Sequence, residues 1–346
     1  MKTLGIIGGG QLGRMICFYA HKMGYKTIVF TNQKDSPASF VTNRTIVGNF
    51  SDKKILKEFC DAVDFVTFEF ENIPLETAEF IENNSTLYPS SNVLKITQNR
   101  ILEKKFLNDN QIKTADYAII NCLDDLKKSL KFFKKAVLKT AMMGYDGKGQ
   151  EVLIDGEDCE KIFDSMKGVP LILERFCKFD SEASVIVARS TLGEIKVYEP
   201  LTNIHKKGIL DRSIYPSKLS IPQKLKAKKI ATEIAKEINL IGLIAVEFFV
   251  LNNQILVNEL APRPHNSGHF SIDGSITSQF EQLIRSISGI ALGETRYHSN
   301  GYMINLLGDD INSISKFQNN SRAKIHLYGK SEIKSGRKMG HVNILK

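Results

Sequence analysis

Over the first ninety residues, short apolar-rich runs alternate with longer stretches whose apolar positions recur every three or four residues. Runs of strand length lie at residues 4–7, 26–30 and 65–70, and the helical period occupies 11–23 and 52–62. That alternation predicts an α/β unit, a parallel sheet with crossover helices, closing near Tyr88-Pro89. A helix follows at about 99–108, then a strand at 117–120 and a helix at 124–133. From there the pattern turns to strands and hairpins, at 136–140, 150–154, 171–175, 183–190 and 195–200. Residues 224–236 (KLKAKKIATEIAK) read as a helix with a lysine-rich face. The chain shows no internal repeat, no low-complexity segment and no long Pro/Ser linker, so its units should be packed together rather than tethered.

With 346 residues the chain is long enough for two or three domains. Lys and Arg number 47 against 38 Asp and Glu, a formal net charge of +9. Much of that surplus is lysine on helix-like stretches, a solvated face, and no dense basic tail with interleaved aromatics points to nucleic acid. The cysteines at 17, 60, 122, 159 and 177 are odd in number, widely spaced and without a C-x-x-C pair. They predict free thiols in a reducing compartment rather than a disulfide or zinc framework. No apolar run has the length of a membrane span, and a cytoplasmic protein is expected.

Against this background a few segments carry chemistry. The loop Gly8-Gly9-Gly10-Gln11-Leu12-Gly13 matches G-x-G-x-x-G between a strand and a helix, where backbone N–H groups and the helix dipole attract phosphate. A dinucleotide site wants an acid at the end of the next strand, but Phe30 is followed by Thr31, Asn32 and Gln33, and Asp35 comes too late. The loop is therefore either a cradle for one phosphorylated small molecule or simply a tight turn. Farther on, Gly144, Gly147 and Gly149 let backbone approach phosphate, Lys139 and Lys148 supply cations, and Tyr145 and Asp146 stand at the tip. The spacing is not that of a P-loop.

Glu247 and Glu259 flank the hairpin AVEFFVLNNQILVNEL, acids among strongly apolar strand residues. An unpaired buried charge is expensive, and Mg²⁺ shared with nucleotide phosphates would compensate it, with Asn258 as a further oxygen ligand. A bare Asn252-Asn253 turn would put Glu247 opposite Asn258 and send Glu259 to the other face; a longer loop or a bulge would set the two glutamates side by side. His265 and His269 have an i, i+4 spacing, but Pro262, Pro264 and Gly268 argue against a zinc-binding helix, and an anion pocket of Arg263, His265 and Asn266 fits the residue types better. Lys330, Arg337 and Lys338 form a basic loop near the C-terminus, suited to a phosphate monoester.

Taken together, GGGQLGRM at 8–15, TFEFENIP at 67–74, GYDGKGQ at 144–150, LTNIHKKGIL at 201–210, NELAPRPHNSGH at 258–269 and GRKMGH at 336–341 resemble the N5-carboxyaminoimidazole ribonucleotide synthetases in family order. These are ATP-grasp enzymes of microbial purine biosynthesis. The resemblance implies a Rossmann-like parallel-sheet domain over 1–97, an ATP-grasp domain over 98–290 with a lid at about 117–180, and a small β-rich C-terminal region over 291–346. It implies that ATP and bicarbonate form carboxyphosphate, which carboxylates the amine of 5-aminoimidazole ribonucleotide, and that the enzyme is a dimer.

By the same resemblance, Lys104 and Lys139 hold ATP phosphates, and Gly144, Tyr145, Asp146, Gly147, Lys148, Gly149 and Gln150 close over them. Glu174, Arg175, Phe176 and Cys177 present backbone groups to adenine, with Glu182 on the ribose and His205 nearby. Glu247 and Glu259 carry Mg²⁺, assisted by Asn258, and bicarbonate sits against Arg263, His265 and Asn266. The ribonucleotide meets Gln11, Leu12, Glu71, Tyr145 and Asp146, with Lys330 and Arg337 on its phosphate, and Asp146 orients or deprotonates the amine. Two departures stand out: Ala141, Met142 and Met143 replace residues that are usually polar, basic or glycine, and relatives usually continue beyond GRKMGHVN through a further helical segment. The rival readings are another ATP-grasp ligase, such as a formate-dependent glycinamide ribonucleotide enzyme, a nucleotide-binding regulator without catalysis, and an NAD-dependent oxidoreductase.

Overall fold

Three sheets organise the chain in a computed structural model that describes residues 2–142, 144, 149–166, 168–252 and 254–346. The expectations for Met143, Tyr145, Asp146, Gly147 and Lys148 lie outside the described residues. The first sheet is parallel, with β1 (Thr3–Ile7), β2 (Lys26–Thr31), β3 (Arg44–Val47) and β4 (Phe65–Phe68) in the order β3-β2-β1-β4. Helices α1 (Gln11–Lys22), α2 (Lys53–Asp61), α3 (Leu75–Asn84) and α4 (Ser91–Thr97) accompany it. β1 and β4 are buried on both faces, which is why their sequences read as continuous apolar runs. α2 starts where the Asp52 carboxylate accepts the N–H groups of Lys54 and Ile55. The run at 65–70 leaves the sheet at Phe68, and β3, short and half exposed, carried no periodic signal.

α5 (Arg100–Asp109), capped by Asn99, leads to the second sheet. This sheet is antiparallel, with β5 (Tyr117–Ile120), β6 (Lys135–Thr140), β7 (Gln150–Ile154) and β8 (Leu171–Arg175) in the order β5-β8-β6-β7. α6 (Leu123–Phe133) and α7 (Glu160–Met166) cover it, and its core of Leu126, Leu130, Leu138, Leu153 and Leu173 is separate from the others.

The largest sheet has nine antiparallel strands: β9 (Ser181–Arg189), β10 (Ile195–Val197), β11 (Leu201–Lys206), β12 (Ile209–Tyr215), β13 (Gly242–Leu251), β14 (Gln254–Ala261), β15 (Gly301–Leu307), β16 (Ala323–Leu327) and β17 (Lys338–Leu345). Its order is β14-β13-β9-β11-β12-β15-β17-β16, with β10 on β9. The strands of the last fifty residues thus extend the same sheet, joined where Arg212 of β12 faces Ile304 of β15. The run expected at 195–200 divides, Pro200 separating β10 from β11.

α8 (Ile221–Glu237) begins at a capping box of Ser220 and Gln223 and closes one face of the sheet with Ala227, Ala231 and Ile234. On the other face lie a 3₁₀ turn (Asn266–Phe270), α9 (Ser271–Gly274) and α10 (Gln279–Ser288). The first unit packs directly on this layer: Leu12, Met15 and Ile16 of α1 share a core with Phe280, Leu283 and Ile186, and Tyr19 stacks on Phe280 with ring centroids 5.9 Å apart.

Candidate active site

The β13–β14 hairpin decides where two carboxylates point. Leu251 pairs with Gln254, so the turn has two residues, and that register alone would separate Glu247 from Glu259. A bulge changes it. Phe248 faces Val257 but Val246 faces Leu260, so Asn258 and Glu259 together oppose Glu247. Glu247 lies on an internal strand with 13% of its side chain exposed, whereas Glu259 lies on the edge strand with 46% exposed. Burial first, and then the neighbouring charge of Glu259, push the Glu247 carboxyl up to about 8, with His205 partly offsetting them. Two carboxylates held together in this way suit a divalent cation. Among the described residues no third His, Cys, Asp or Glu joins them to form a complete cage, so phosphate oxygens fit as the remaining ligands.

Next to them stands the anion pocket expected from NELAPRPHNSGH. Nε2 of His265 lies 3.2 Å from Glu247, while its Nδ1 accepts from the Ser267 N–H at 3.3 Å and lies 2.8 Å from the Ser267 hydroxyl. The ring proton therefore sits on Nε2, facing Glu247. Burial, then Arg263 and Lys338, hold His265 well below its ordinary value, so the imidazole is neutral. Arg263 grips Glu71 in a fork, Nε on one oxygen and Nη2 on the other at 2.8 Å. Burial works to raise Glu71, but the guanidinium overrides it and the carboxyl stays below its ordinary value. Both ends of the Asn266 amide are buried and, among the described residues, find no hydrogen-bond partner, as befits a group that meets a ligand. His269 is not a second ligand beside His265. Its Nδ1 faces Gln279 at 3.0 Å, and the stretch expected to be non-helical is a 3₁₀ turn.

Of the residues expected on ATP, Lys104, Lys139 and Glu174 form one ionic triad. Lys104, almost fully buried, and Lys139 lie 3.3 and 3.1 Å from Glu174. Burial raises Glu174, yet the two lysines outweigh it and bring the carboxyl down to about 2. Glu182 and Nδ1 of His205 meet at 2.7 Å, and this contact raises the imidazole against the effect of burial. Arg175 pairs with Asp116 at 2.9 Å, Phe176 lies under Lys135, and the half-buried Cys177 thiol reaches the Arg175 carbonyl at 3.7 Å. Asp116, Arg175, Phe176 and Cys177, with Lys113 and Leu256, line a cleft of about 720 Å³. Gly149, with φ of +70°, accepts from the Thr140 N–H at 2.9 Å and so leads the chain into Gln150, the exposed first residue of β7.

The glycine loop at 8–13 resolves into the tight turn rather than an open phosphate cradle. The Glu69 carboxylate takes the Gly10 N–H and, at 2.7 Å, that of Gly13, where a phosphate would otherwise sit at the start of α1. Gln11 and Leu12 open α1 immediately beyond this contact. In the C-terminal loop, Lys330 lies over the Tyr328 ring and its charge reaches Glu69. Arg337 instead donates to the Glu332 carbonyl at 2.9 Å, and it is Lys338 whose field reaches Glu71 and His265.

Two further residues join the site without a motif to announce them. Arg100 donates to the carbonyls of Thr140 and Gly144, both at 3.4 Å, and lies 4.0 Å from the Glu259 carboxylate. Its position four residues before Lys104 on α5 is the one available signal. Glu103 is buried, accepts from the Leu260 N–H at 2.9 Å, and is pushed up to about 8 by burial and by Glu259. In sequence it looks like any first-turn helix acid.

Three sheets, with the Glu247–Glu259 pair on the largest and Lys104 of α5 joined with Lys139 and Glu174 of the second, define an ATP-grasp ligase, and the ATP-grasp domain model matches residues 105–280. The models of the ribonucleotide synthetase preATP-grasp domain and the phosphoribosylaminoimidazole carboxylase C-terminal domain match 1–98 and 301–346. The chain belongs to the N5-carboxyaminoimidazole ribonucleotide synthase family. It is 41% identical to the Bacillus subtilis (strain 168) enzyme of that name, over 99% of this chain and 91% of that one. The ADP complex of an N5-carboxyaminoimidazole ribonucleotide synthetase superposes with a TM-score of 0.96 at 41% identity, covering 100% of this chain and 92% of the other. The Aspergillus clavatus N5-carboxyaminoimidazole synthase in complex with ADP and 5-aminoimidazole ribonucleotide superposes at 0.93 with 26% identity, covering 100% and 94%.

Proposed function

We propose that this chain carboxylates the amine of 5-aminoimidazole ribonucleotide at the expense of ATP and bicarbonate. The observation that carries this reading is the juxtaposition, across one bulge, of the Glu247–Glu259 pair with the neutral His265, Arg263 and the unpartnered Asn266 amide. A bicarbonate oxygen attacks the γ-phosphorus of ATP, ADP leaves, and carboxyphosphate forms. The ribonucleotide amine then attacks the carboxyl carbon, expels phosphate and loses a proton. Lys104 and Lys139, drawn from Glu174, meet the triphosphate charge, and Glu182 takes the ribose beside His205. Glu247 and Glu259, with Asn258, would hold Mg²⁺, which would neutralise charge on the phosphates. Arg263, His265 and Asn266 hold bicarbonate, with the Nε2 proton of His265 available to one of its oxygens.

On the same reading the ribonucleotide lies along Gln11, Leu12 and Glu71, its phosphate on Lys330 and Arg337, with Lys338 adding positive field. The segment with Tyr145, Asp146 and Lys148 closes over the reactants and excludes water from the acyl phosphate, and Asp146 orients or deprotonates the amine. The protein works as a homodimer. Its support is an exposed apolar patch in which Phe18 of α1 adjoins Ile325 and Leu327 of the unpaired edge strand β16. The direct test follows ADP and phosphate release with labelled bicarbonate, with and without 5-aminoimidazole ribonucleotide. Ribonucleotide-dependent turnover that fixes the label is expected; ATP turnover indifferent to the ribonucleotide would sink the proposal.

A further inference from the structure

Gln279 is the first residue of α10 and is fully buried, yet no step of the reaction uses it. Its side chain is spent on the backbone of the anion pocket. Oε1 accepts the His265 N–H at 2.9 Å, and Nε2 donates to the His265 carbonyl at 2.8 Å and to His269 Nδ1 at 3.0 Å. The amide thus pairs with His265 on both sides, as a neighbouring strand would. The backbone of the same residue holds the other end of the 3₁₀ turn, since the Gln279 N–H donates to the Ser271 hydroxyl at 3.0 Å, which donates to the Gly268 carbonyl at 2.6 Å. An independent feature agrees. A Cβ on Gly268 would fall 2.7 Å from Gln279 Oε1 and 3.0 Å from Ile186, so only glycine lets the turn close onto the clamp.

We infer that Gln279 is a positioning residue for the carboxylation chemistry: by clamping both sides of His265 it sets where His265 and Asn266 present themselves to bicarbonate, without touching any reactant. A buried amide that makes three hydrogen bonds fixes a short irregular segment more tightly than packing does, because removing it strands the His265 N–H and carbonyl away from water. The inference deepens the proposed function and rests on it.

The test compares steady-state kinetics of the wild type, Gln279→Met and Gln279→Glu. Met removes the clamp at similar volume; Glu keeps the acceptor for the His265 N–H and loses the donated bonds. In both variants the KM for bicarbonate rises about tenfold or more while the KM for ATP stays unchanged, and more ATP is hydrolysed per carboxylation. A purely structural role would shift all three substrates together. A wild type with no need for bicarbonate would overturn the functional reading and this inference with it. With wild-type dependence intact, the inference alone is overturned if a folded variant keeps the wild-type bicarbonate KM, if the KM values move together, or if neither variant folds.

Discussion

At the scale of single residues, the site holds charge in arrangements that the fold alone leaves unbalanced. The clearest is Glu247, whose carboxyl is raised to about 8 by burial and by Glu259, and Glu103 is raised likewise. A folded-state value above the unfolded one means the fold favours the protonated form. These acids therefore cost nothing below the unfolded carboxyl range, and stability falls as pH rises from there through about 8. Thermal unfolding of the ligand-free protein should come at a lower temperature at about pH 8.5 than at about pH 6. Glu247→Gln should narrow that gap while reducing turnover by about a hundredfold or more, because it removes both the buried charge and a cation ligand. Equal pH dependence in the variant and the wild type would count against the assignment. Glu174 behaves oppositely: lowered to about 2 by its lysines, it stabilises the fold above the ordinary carboxyl range and that contribution disappears as pH falls through about 2. Residues inside motifs, such as Glu247, Arg263 and His265, were legible because their types are chemically unusual where they stand. Gln279, Glu103 and Arg100 were not, since each draws its role from a partner far away in sequence.

At the scale of elements, the decisive feature is a single extra residue in β14. The Asn252-Asn253 turn could be read from the sequence, and so could the two consequences that hung on a bulge. The bulge itself depends on how β13 is held between β9 and β14, which no local pattern encodes. The second sheet shows the same division. Its strands follow the apolar runs closely, but its attachment to the site runs through Arg100, which bonds the Thr140 and Gly144 carbonyls from α5. Arg100→Met should raise the KM for ATP by about tenfold and leave the unfolding temperature nearly unchanged, because the contact is polar and lies at the border of two cores. A KM unchanged from the wild type would show that the second sheet is placed by other contacts.

At the scale of the whole molecule, the N-terminal unit meets the nine-stranded sheet through the Glu71–Arg263 pair and the core shared by α1 and α10, and the second sheet is reached from α5 through Arg100. Among the described residues no helix is long and apolar enough to cross a membrane. The continuity of the sheet through β15, β17 and β16 carries Lys330 and Lys338 to the same side as Glu71 and Glu69, an arrangement that order along the chain did not reveal. It also leaves β16 as an edge whose Ile325 and Leu327 are exposed beside Phe18. The proposed homodimer predicts that the wild type sediments as a dimer and Leu327→Lys as a monomer; a monomeric wild type would contradict the dimer, and a variant that stays dimeric would place the interface elsewhere. The proposed reaction requires bicarbonate and ATP to react with each other before the amine is carboxylated. Turnover in ¹⁸O-labelled bicarbonate, with the released phosphate analysed by mass, tests this directly. One labelled oxygen in the phosphate for each carboxylated product is predicted, and phosphate free of label in the presence of active carboxylation would contradict it.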